Sequence, residues 1–200
     1  MRPHFAYKCV VLGQSGTGKS SILIRQIHNR FVTGMDSTIG AAFYVFKREM
    51  EDRKIQLEMW DTAGQERYHS LVDMYIRNAD VILLVYDVND PESLEELTKK
   101  WIPYLDRNAN LYSPTAIKIL VANKMDLYTG QPEHPIANDI DNAKFSFYQT
   151  SAKNGSGVHT MFEDVFTRLA QKNPPCVLAE PKLLIKPVET KPKPESGCCW

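Results

Sequence analysis

Residues 10–21 decide the fold, and they read Val10-Val11-Leu12-Gly13-Gln14-Ser15-Gly16-Thr17-Gly18-Lys19-Ser20-Ser21. In this stretch an apolar run breaks into spaced glycines, which are followed by a lysine and two hydroxyls. Glycine lets the backbone fold tightly, so that consecutive N–H groups point at anionic oxygens, and a helix that follows adds its positive N-terminal end. The spacing fits the phosphate-binding loop that joins a strand to a helix. The alternative is a glycine-rich turn that binds nothing.

The side chains of this stretch have separate predicted roles. Lys19 is expected to reach the outer phosphates as a point charge, and the Ser20 hydroxyl is expected to bind Mg²⁺. The remaining positions are expected to hold nucleotide phosphates mainly through the backbone, and they are Ser15, Gly16, Thr17, Gly18 and Ser21.

Composition limits the domain count and the partners. The chain has 200 residues, of which 24 are Lys or Arg and 24 are Asp or Glu. No net charge therefore draws the protein to nucleic acid, and nucleic acid is not expected as a partner. Six of the 12 prolines lie between Pro174 and Pro194, where helical periodicity stops. We therefore expect one globular domain over residues 1–172 and an extended tail over residues 173–200.

Targeting signals and cysteines add little to this assignment. Residues 1–8 contain no apolar signal core, and no run approaches the length of about 18 apolar residues that would indicate a membrane span. The four cysteines have neither a disulfide framework nor metal-ligand spacing, and Cys9 is expected in the core. Synthesis in the cytosol is the expectation.

Apolar periodicity predicts an α/β domain in which strands alternate with helices. The predicted strands cover residues 7–12, 41–50, 55–59, 81–86, 117–122 and 145–148, and the predicted helices cover residues 20–29, 91–105 and 158–169. The second and third strands are expected to form a hairpin, and the others a mostly parallel sheet. Ligands of such sheets lie beyond the carboxyl ends of the strands, where Gly13, Asp61, Asn123 and Ser151 are expected to cluster.

A second motif covers residues 60–66, directly after an alternating strand. Asp61 is expected to hold Mg²⁺ through water, and the backbone N–H of Gly64 is expected to contact a γ-phosphate. Gln65 is uncharged and cannot be a strong base, but its amide can orient a water behind the γ-phosphorus. A tight turn without function would explain Asp61 and Gly64 but would leave Gln65 without a role.

A third motif, Asn123-Lys124-Met125-Asp126, ends a buried strand. The carboxylate of Asp126 can accept two parallel hydrogen bonds from the ring N–H and the amino group of guanine, and adenine offers no such pair. The segment Thr150-Ser151-Ala152-Lys153 follows the last strand and is expected to offer the Ala152 N–H to the guanine oxygen.

Taken in order, these motifs resemble those of the Ras-like small GTPases over residues 7–172. The resemblance implies a three-layer P-loop GTPase fold with a six-stranded, mostly parallel sheet and helices on both faces. It implies slow hydrolysis of GTP to GDP with Mg²⁺, stimulated by a GTPase-activating protein that supplies a missing positive charge. Phe31 matches the aromatic that packs on guanine, and Thr38 matches a Mg²⁺-binding threonine. The catalytic set that the resemblance implies is Gln65, Lys19 and Gly64; the base-binding set is Asn123, Lys124, Asp126, Ser151, Ala152 and Lys153.

Within that superfamily, residues 37–43 and 60–71 resemble the switch regions of Rab proteins, most closely those of the early-endosomal branch. The resemblance implies an effector surface formed by Ile39, Ala42, Phe43, Trp60, Tyr68, Leu71 and Tyr75. The alternative for the aromatic members is a role in the core only. Further implied partners are an exchange factor, a Rab escort protein and a GDP-dissociation inhibitor.

The adjacent Cys198 and Cys199 resemble the tail cysteines of Rab proteins that receive two geranylgeranyl groups. Two lipids are physically favoured because a single chain gives only marginal membrane binding. We therefore expect the protein on the cytoplasmic face of endosomal or other vesicle membranes, cycling with the cytosol. An unmodified tail is the alternative.

Two other functions are compatible with a phosphate loop. A metabolic kinase would need an acceptor site and a lid, and the chain has no spare segment of lid length. A nucleotide-locked scaffold would bind GTP without cleaving it, and Gln65 argues against that function.

Overall fold

The computed structural model of the chain describes residues 3–38, 40–50, 52–64, 69–130 and 144–172. Its strands are β1 (His4–Leu12), β2 (Ala41–Glu49), β3 (Lys54–Thr62), β4 (Val81–Asp87), β5 (Ile117–Asn123) and β6 (Ser146–Gln149). They form one sheet in the order β2-β3-β1-β4-β5-β6. The pairing of β2 with β3 is antiparallel, and the other pairings are parallel. The predicted sheet and its hairpin are thus confirmed.

The helices are α1 (Lys19–His28), α2 (His69–Ile76), α3 (Pro91–Glu96), α4 (Ile102–Arg107) and α5 (Val158–Gln171). Sequence periodicity predicted α1, α5 and one helix over the range of α3 and α4, but it missed α2. Apolar residues at 71, 72, 74, 75 and 76 form an almost continuous run in α2. Such a run lacks the spaced stripe that marks an amphipathic helix.

The helix predicted over residues 91–105 is continuous but not regular. A π-helical turn (Leu97–Trp101) joins α3 to α4, and the backbone N–H of Ile102 donates to the carbonyl oxygen of Leu97, five residues back. Pro103 explains this wider turn, because proline has no N–H and its ring would collide with the carbonyl four residues earlier in a regular helix.

Two apolar cores cover the two faces of the sheet, because side chains alternate along each strand. On β1, Tyr7, Cys9 and Val11 face the core that contains the buried residues of α1 and α5. Val10 and Leu12 face the opposite core, with residues of α2 and of the helices around the π turn. This arrangement confirms three layers and the core position of Cys9. Among the described helices, none has the length and apolar character needed to cross a bilayer.

Candidate functional site

A cleft of about 380 Å³ lies at the carboxyl ends of the strands. Its walls come from the phosphate loop, residues 31–38, the end of β3 with Gly64, and the segments at the ends of β5 and β6. The parallel sheet brings these parts together because β1, β4, β5 and β6 all run in one direction and their carboxyl ends meet at one edge.

The backbone of the phosphate loop requires glycine at two positions. Gly13 has φ 139° and Gly18 has φ 92°. A Cβ on Gly13 would overlap the carbonyl oxygen of Val85, and one on Gly18 would overlap the side-chain amide of Asn123. The loop therefore lies too close to β4 and β5 for any larger residue at these positions.

Lys19 is held over the loop by the loop's own carbonyls. Its Nζ donates to the carbonyl oxygens of Gly13 at 2.8 Å and Gln14 at 2.7 Å. Burial lowers the pKa of Lys19 to about 8, and the negative charge of Asp61 opposes that shift. An anion in the cleft would favour the charged ammonium, so this lysine suits phosphate binding.

Three oxygen-bearing side chains meet beside Lys19. The Ser20 Oγ lies 2.9 Å from the Thr38 Oγ1 and donates to the Asp61 Oδ2 over 2.5 Å. The other carboxylate oxygen, Asp61 Oδ1, is buried and has no hydrogen-bond partner among the residues that the structure describes. Burial raises the pKa of Asp61, whereas the Ser20 hydrogen bond and the Lys19 charge lower it. Hard oxygen donors with an unpartnered carboxylate oxygen fit Mg²⁺, which is commonly held by one or two carboxylates together with substrate phosphates.

Asn123 connects the two ends of the cleft. Its Nδ2 donates to the carbonyl oxygen of Thr17 at 2.8 Å. Its Oδ1 accepts from the Thr150 hydroxyl and from the Ala152 N–H, each at 3.2 Å. Since the Ala152 N–H already has this acceptor, its contact with a guanine oxygen stays a prediction.

Asp126 is oriented by the segment that follows β6. Its Oδ1 accepts from the Ser151 hydroxyl at 2.5 Å, and its Oδ2 lies 3.7 Å from the Lys153 Nζ. Lys124 adopts a left-handed backbone with φ 67°, and its Nζ pairs with Asp87 at 2.8 Å. The contacts with Ser151 and Lys153 orient the carboxylate of Asp126 at the cleft wall.

The structure gathers most of the predicted nucleotide-binding residues around the cleft. Those that line it are Ser15, Gly16, Gly18, Lys19, Ser20, Ser21, Phe31, Thr38, Gly64, Asn123, Lys124, Asp126, Ala152 and Lys153. Thr17 and Ser151 do not line it. Both are buried behind the wall, where the Thr17 hydroxyl donates to the Gln14 carbonyl and Ser151 supports Asp126.

Gly64 and its neighbours are only partly described. A Cβ on Gly64 would overlap the backbone N of Ser15, so the second motif lies directly against the phosphate loop. Gln65, the predicted water-orienting residue, lies outside the described residues, as do Ile39, Tyr68, Cys198 and Cys199. Their roles stay predictions.

Sequence reasoning assigned no role in nucleotide binding to eight residues of the cleft wall: Val32, Thr33, Gly34, Met35, Asp36, Ser37, Thr62 and Leu127. Residues 32–37 lie between Phe31 and Thr38, and Thr62 and Leu127 follow Asp61 and Asp126. Adjacency along the chain was the available signal, but these side chains carry no motif of their own.

The predicted aromatic set forms a chain of ring contacts beside the switch segments. The ring centroids of Phe43 and Trp60 lie 5.1 Å apart, and those of Trp60 and Tyr75 lie 5.8 Å apart. Phe43 is 50% exposed, whereas Trp60 and Tyr75 are half-buried against a core. Leu71 is exposed and Ala42 is half-buried. The rings thus contribute to packing, and the role of this set in effector binding stays a prediction.

A phosphate loop and an Asn-Lys-x-Asp segment at one edge of this sheet are typical of guanine-nucleotide-binding P-loop proteins. The Ras family model matches residues 8–171 of the chain. The chain therefore belongs to the Ras family of small GTPases.

Comparison with individual proteins relates the chain to one branch of this family. It is 39% identical over 172 residues to the Ras-related protein Rab5 of Nicotiana tabacum, a match that covers 84% of this chain and 82% of that protein. The Ras-related protein Rab5A of Oryza sativa subsp. japonica is 39% identical over 166 residues, covering 82% of this chain and 80% of its own length. The Ras-related protein RABF2a of Arabidopsis thaliana is 38% identical over 170 residues, with coverages of 84% and 82%. The resemblance to the early-endosomal Rab branch is confirmed.

Proposed function

We propose that this Rab-type GTPase is a Mg²⁺-dependent switch of endosomal membrane traffic that hydrolyses GTP slowly and needs a GTPase-activating protein for fast turnover. One observation carries the proposal: Lys19 of the phosphate loop and the carboxylate residue Asp126 line the same cleft. A nucleotide has its phosphates and its base at opposite ends, so a cleft with both features suits it.

The phosphate end would act by neutralising and placing charge. A bound Mg²⁺ would supply charge neutralisation for the phosphates, and Ser20, Thr38 and Asp61 are the residues that would hold it. Lys19 would contact the outer phosphates from above the loop. Gly64 would offer its backbone N–H to the γ-phosphate, and Gln65 would orient the attacking water.

The base end would select guanine. Asp126 would accept from the ring N–H and the amino group of guanine, and an unmatched base would leave its carboxylate unpaired, which costs about 1–3 kcal/mol. Phe31, which also lines the cleft, would pack against the base. Lys124 and Lys153 would complete the base site.

Loss of the γ-phosphate would release the contacts of Thr38 and Gly64 and loosen residues 33–40 and 62–75. Effectors would read the GTP state on the surface of Ala42, Phe43, Trp60, Leu71 and Tyr75, together with Ile39 and Tyr68. An exchange factor would release GDP so that GTP can bind again. Prenyl groups on Cys198 and Cys199 would attach it to the membrane, and a Rab escort protein and a GDP-dissociation inhibitor would handle the lipidated tail.

A single-turnover assay tests the proposal. Purified protein is loaded with GTP, and the appearance of GDP is followed with Mg²⁺, with EDTA, and with ATP in place of GTP. We expect slow GDP formation that requires Mg²⁺ and is absent with ATP. Stable GTP without cleavage would instead identify a scaffold, and transfer of phosphate to a small acceptor would identify a kinase.

A further inference from the structure

Arg25 makes a set of contacts that the proposed roles do not include. It lies in the last turn of α1, the helix whose first residues carry Lys19 and Ser20. Its guanidinium donates from three nitrogens, and the acceptors belong to Ala152, Lys153 and Asn29.

Two of these bonds hold the segment after β6. The Arg25 Nε donates to the carbonyl oxygen of Ala152 at 2.8 Å, and the Nη2 donates to that of Lys153 at 2.6 Å. The polar groups of the same segment contact Asn123 and Asp126, through the Ala152 N–H, the Ser151 hydroxyl and the Lys153 ammonium. Arg25 thus fixes the carbonyls of a segment whose donors orient the base-reading carboxylate.

The third nitrogen holds the end of α1. The Arg25 Nη1 donates to the carbonyl oxygen of Asn29 at 2.8 Å, and Asn29 ends α1 in a left-handed conformation with φ 49°. Only Arg30 separates Asn29 from Phe31, which lines the cleft. The Arg25 side chain therefore links the end of α1, two residues before Phe31, to the segment after β6 that supports Asp126.

We propose that Arg25 is a positioning residue that holds the segment after β6 in register with the end of α1 and so sets guanine selectivity and nucleotide residence time. The proposal rests on the proposed function, because it assumes that the cleft binds a guanine nucleotide. The planar guanidinium suits the task, since its donors have fixed directions and can satisfy several carbonyls at once.

The test compares wild type with Arg25→Ala, Arg25→Lys and the control Arg107→Ala. Arg107 is an exposed arginine that donates to the Pro103 carbonyl of its own helix and does not line the cleft. Dissociation rates are measured for GDP, and dissociation constants are measured for GDP and for inosine diphosphate, which lacks the amino group that Asp126 would read. Circular dichroism melting checks the fold of each variant.

For Arg25→Ala we expect GDP to dissociate about ten-fold faster, the order that follows from losing hydrogen bonds of a charged group. The preference for GDP over inosine diphosphate should fall about five-fold, because Asp126 loses its support. Arg25→Lys should lie between wild type and Arg25→Ala, because one ammonium cannot span the three backbone carbonyls. Arg107→Ala should match wild type.

The selectivity ratio separates positioning from general destabilisation, since a merely less stable protein would lose both nucleotides alike. An unchanged ratio in Arg25→Ala would overturn the proposal. If Arg25→Ala does not fold, Arg25→Lys decides, and wild-type rates and ratio in that variant would overturn it. A wild-type protein that binds no GDP, or binds inosine diphosphate equally well, would overturn the proposed function itself and this inference with it.

Discussion

The side-chain amide of Asn123 donates to the backbone carbonyl of Thr17 over 2.8 Å, although 106 positions separate the two residues. This bond joins the end of β5 to the phosphate loop. Asn123 is almost fully buried, and a Cβ on Gly18 would overlap the side-chain amide of Asn123. The phosphate loop and the end of β5 are therefore parts of one hydrogen-bonded structure.

Replacing the carboxylate of Asp126, which we propose binds guanine, should change the preferred base. In Asp126→Asn, we expect the affinity for GDP to fall by about ten-fold to a few hundred-fold, because the amide cannot accept both guanine donors. Xanthosine diphosphate should gain affinity, since its 2-position offers an oxygen to the new amide donor. Competition binding measures both, with Asp106→Asn, an exposed aspartate on α4, as the control. Unchanged GDP affinity would mean that Asp126 does not read the base.

Gln65 should matter for hydrolysis and not for binding. In Gln65→Leu, leucine fills the space but cannot orient water, so we expect normal GTP affinity and single-turnover hydrolysis slower by about ten-fold or more. Gln171→Leu, at the exposed end of α5, is the matched control. Equal hydrolysis rates in Gln65→Leu and wild type would remove the role assigned to Gln65.

The meeting of the Ser20, Thr38 and Asp61 side chains predicts that nucleotide release responds to removal of Mg²⁺. In wild type, EDTA should speed GDP release, because Ser20, Thr38 and Asp61 are the residues that we propose hold Mg²⁺ beside the phosphates. In Asp61→Asn, release should already be fast with Mg²⁺ present, and the ratio of rates with and without EDTA should approach one. Asp90→Asn serves as the control, since asparagine caps α3 as well as aspartate does. A wild-type EDTA response in Asp61→Asn would contradict the predicted metal site.

The tail cysteines should carry the membrane attachment. In Cys198→Ser, we expect weaker membrane residence, because one lipid chain binds only marginally, and the double variant with Cys199→Ser should be wholly cytosolic. Intact-mass analysis of wild type from cells should show two isoprenoid additions. Cys176→Ser, in the same tail, should behave as wild type. An unmodified mass in the membrane fraction would refute this prediction.

The buried carboxyl of Asp80 should make the stability of the folded protein depend on pH. Burial raises its pKa, although the Lys8 backbone N–H and the Lys172 charge lower it. A carboxyl whose pKa is raised by folding binds more protons in the folded protein than in the unfolded chain. Its contribution to the free energy of unfolding is therefore fully present below the unfolded pKa and is lost as the pH rises through the folded pKa.

Asp80→Asn keeps an acceptor for the Lys8 N–H, which lies 2.9 Å from Asp80 Oδ2. We expect urea unfolding to show this variant more stable than wild type at pH 7, with the gain absent below pH 3.8, the unshifted pKa. A less stable variant at pH 7 would show that burial of the Asp80 charge is not the dominant effect.

Much of the fold could be predicted because its signals are local. The apolar runs that became β4 and β5 are buried on both faces, as continuous apolar strands require. The two features that apolar periodicity did not predict, α2 and the π turn, also have physical reasons. The helix α2 has no spaced stripe, and the π turn before Pro103 depends on hydrogen-bond spacing that apolar periodicity does not report.

The sequence by itself determined the chemistry of the site. Glycines at positions 13 and 18, the lysine and hydroxyl that follow, and the carboxylates at the ends of two strands are local patterns with local physical reasons. Only the tertiary structure decided which residues hold these groups in place. Asn123 meets Thr17, and Arg25 meets Ala152 and Lys153, across more than a hundred positions. No local pattern marks such contacts, because they arise only when parallel strands bring their carboxyl ends to one edge of the sheet.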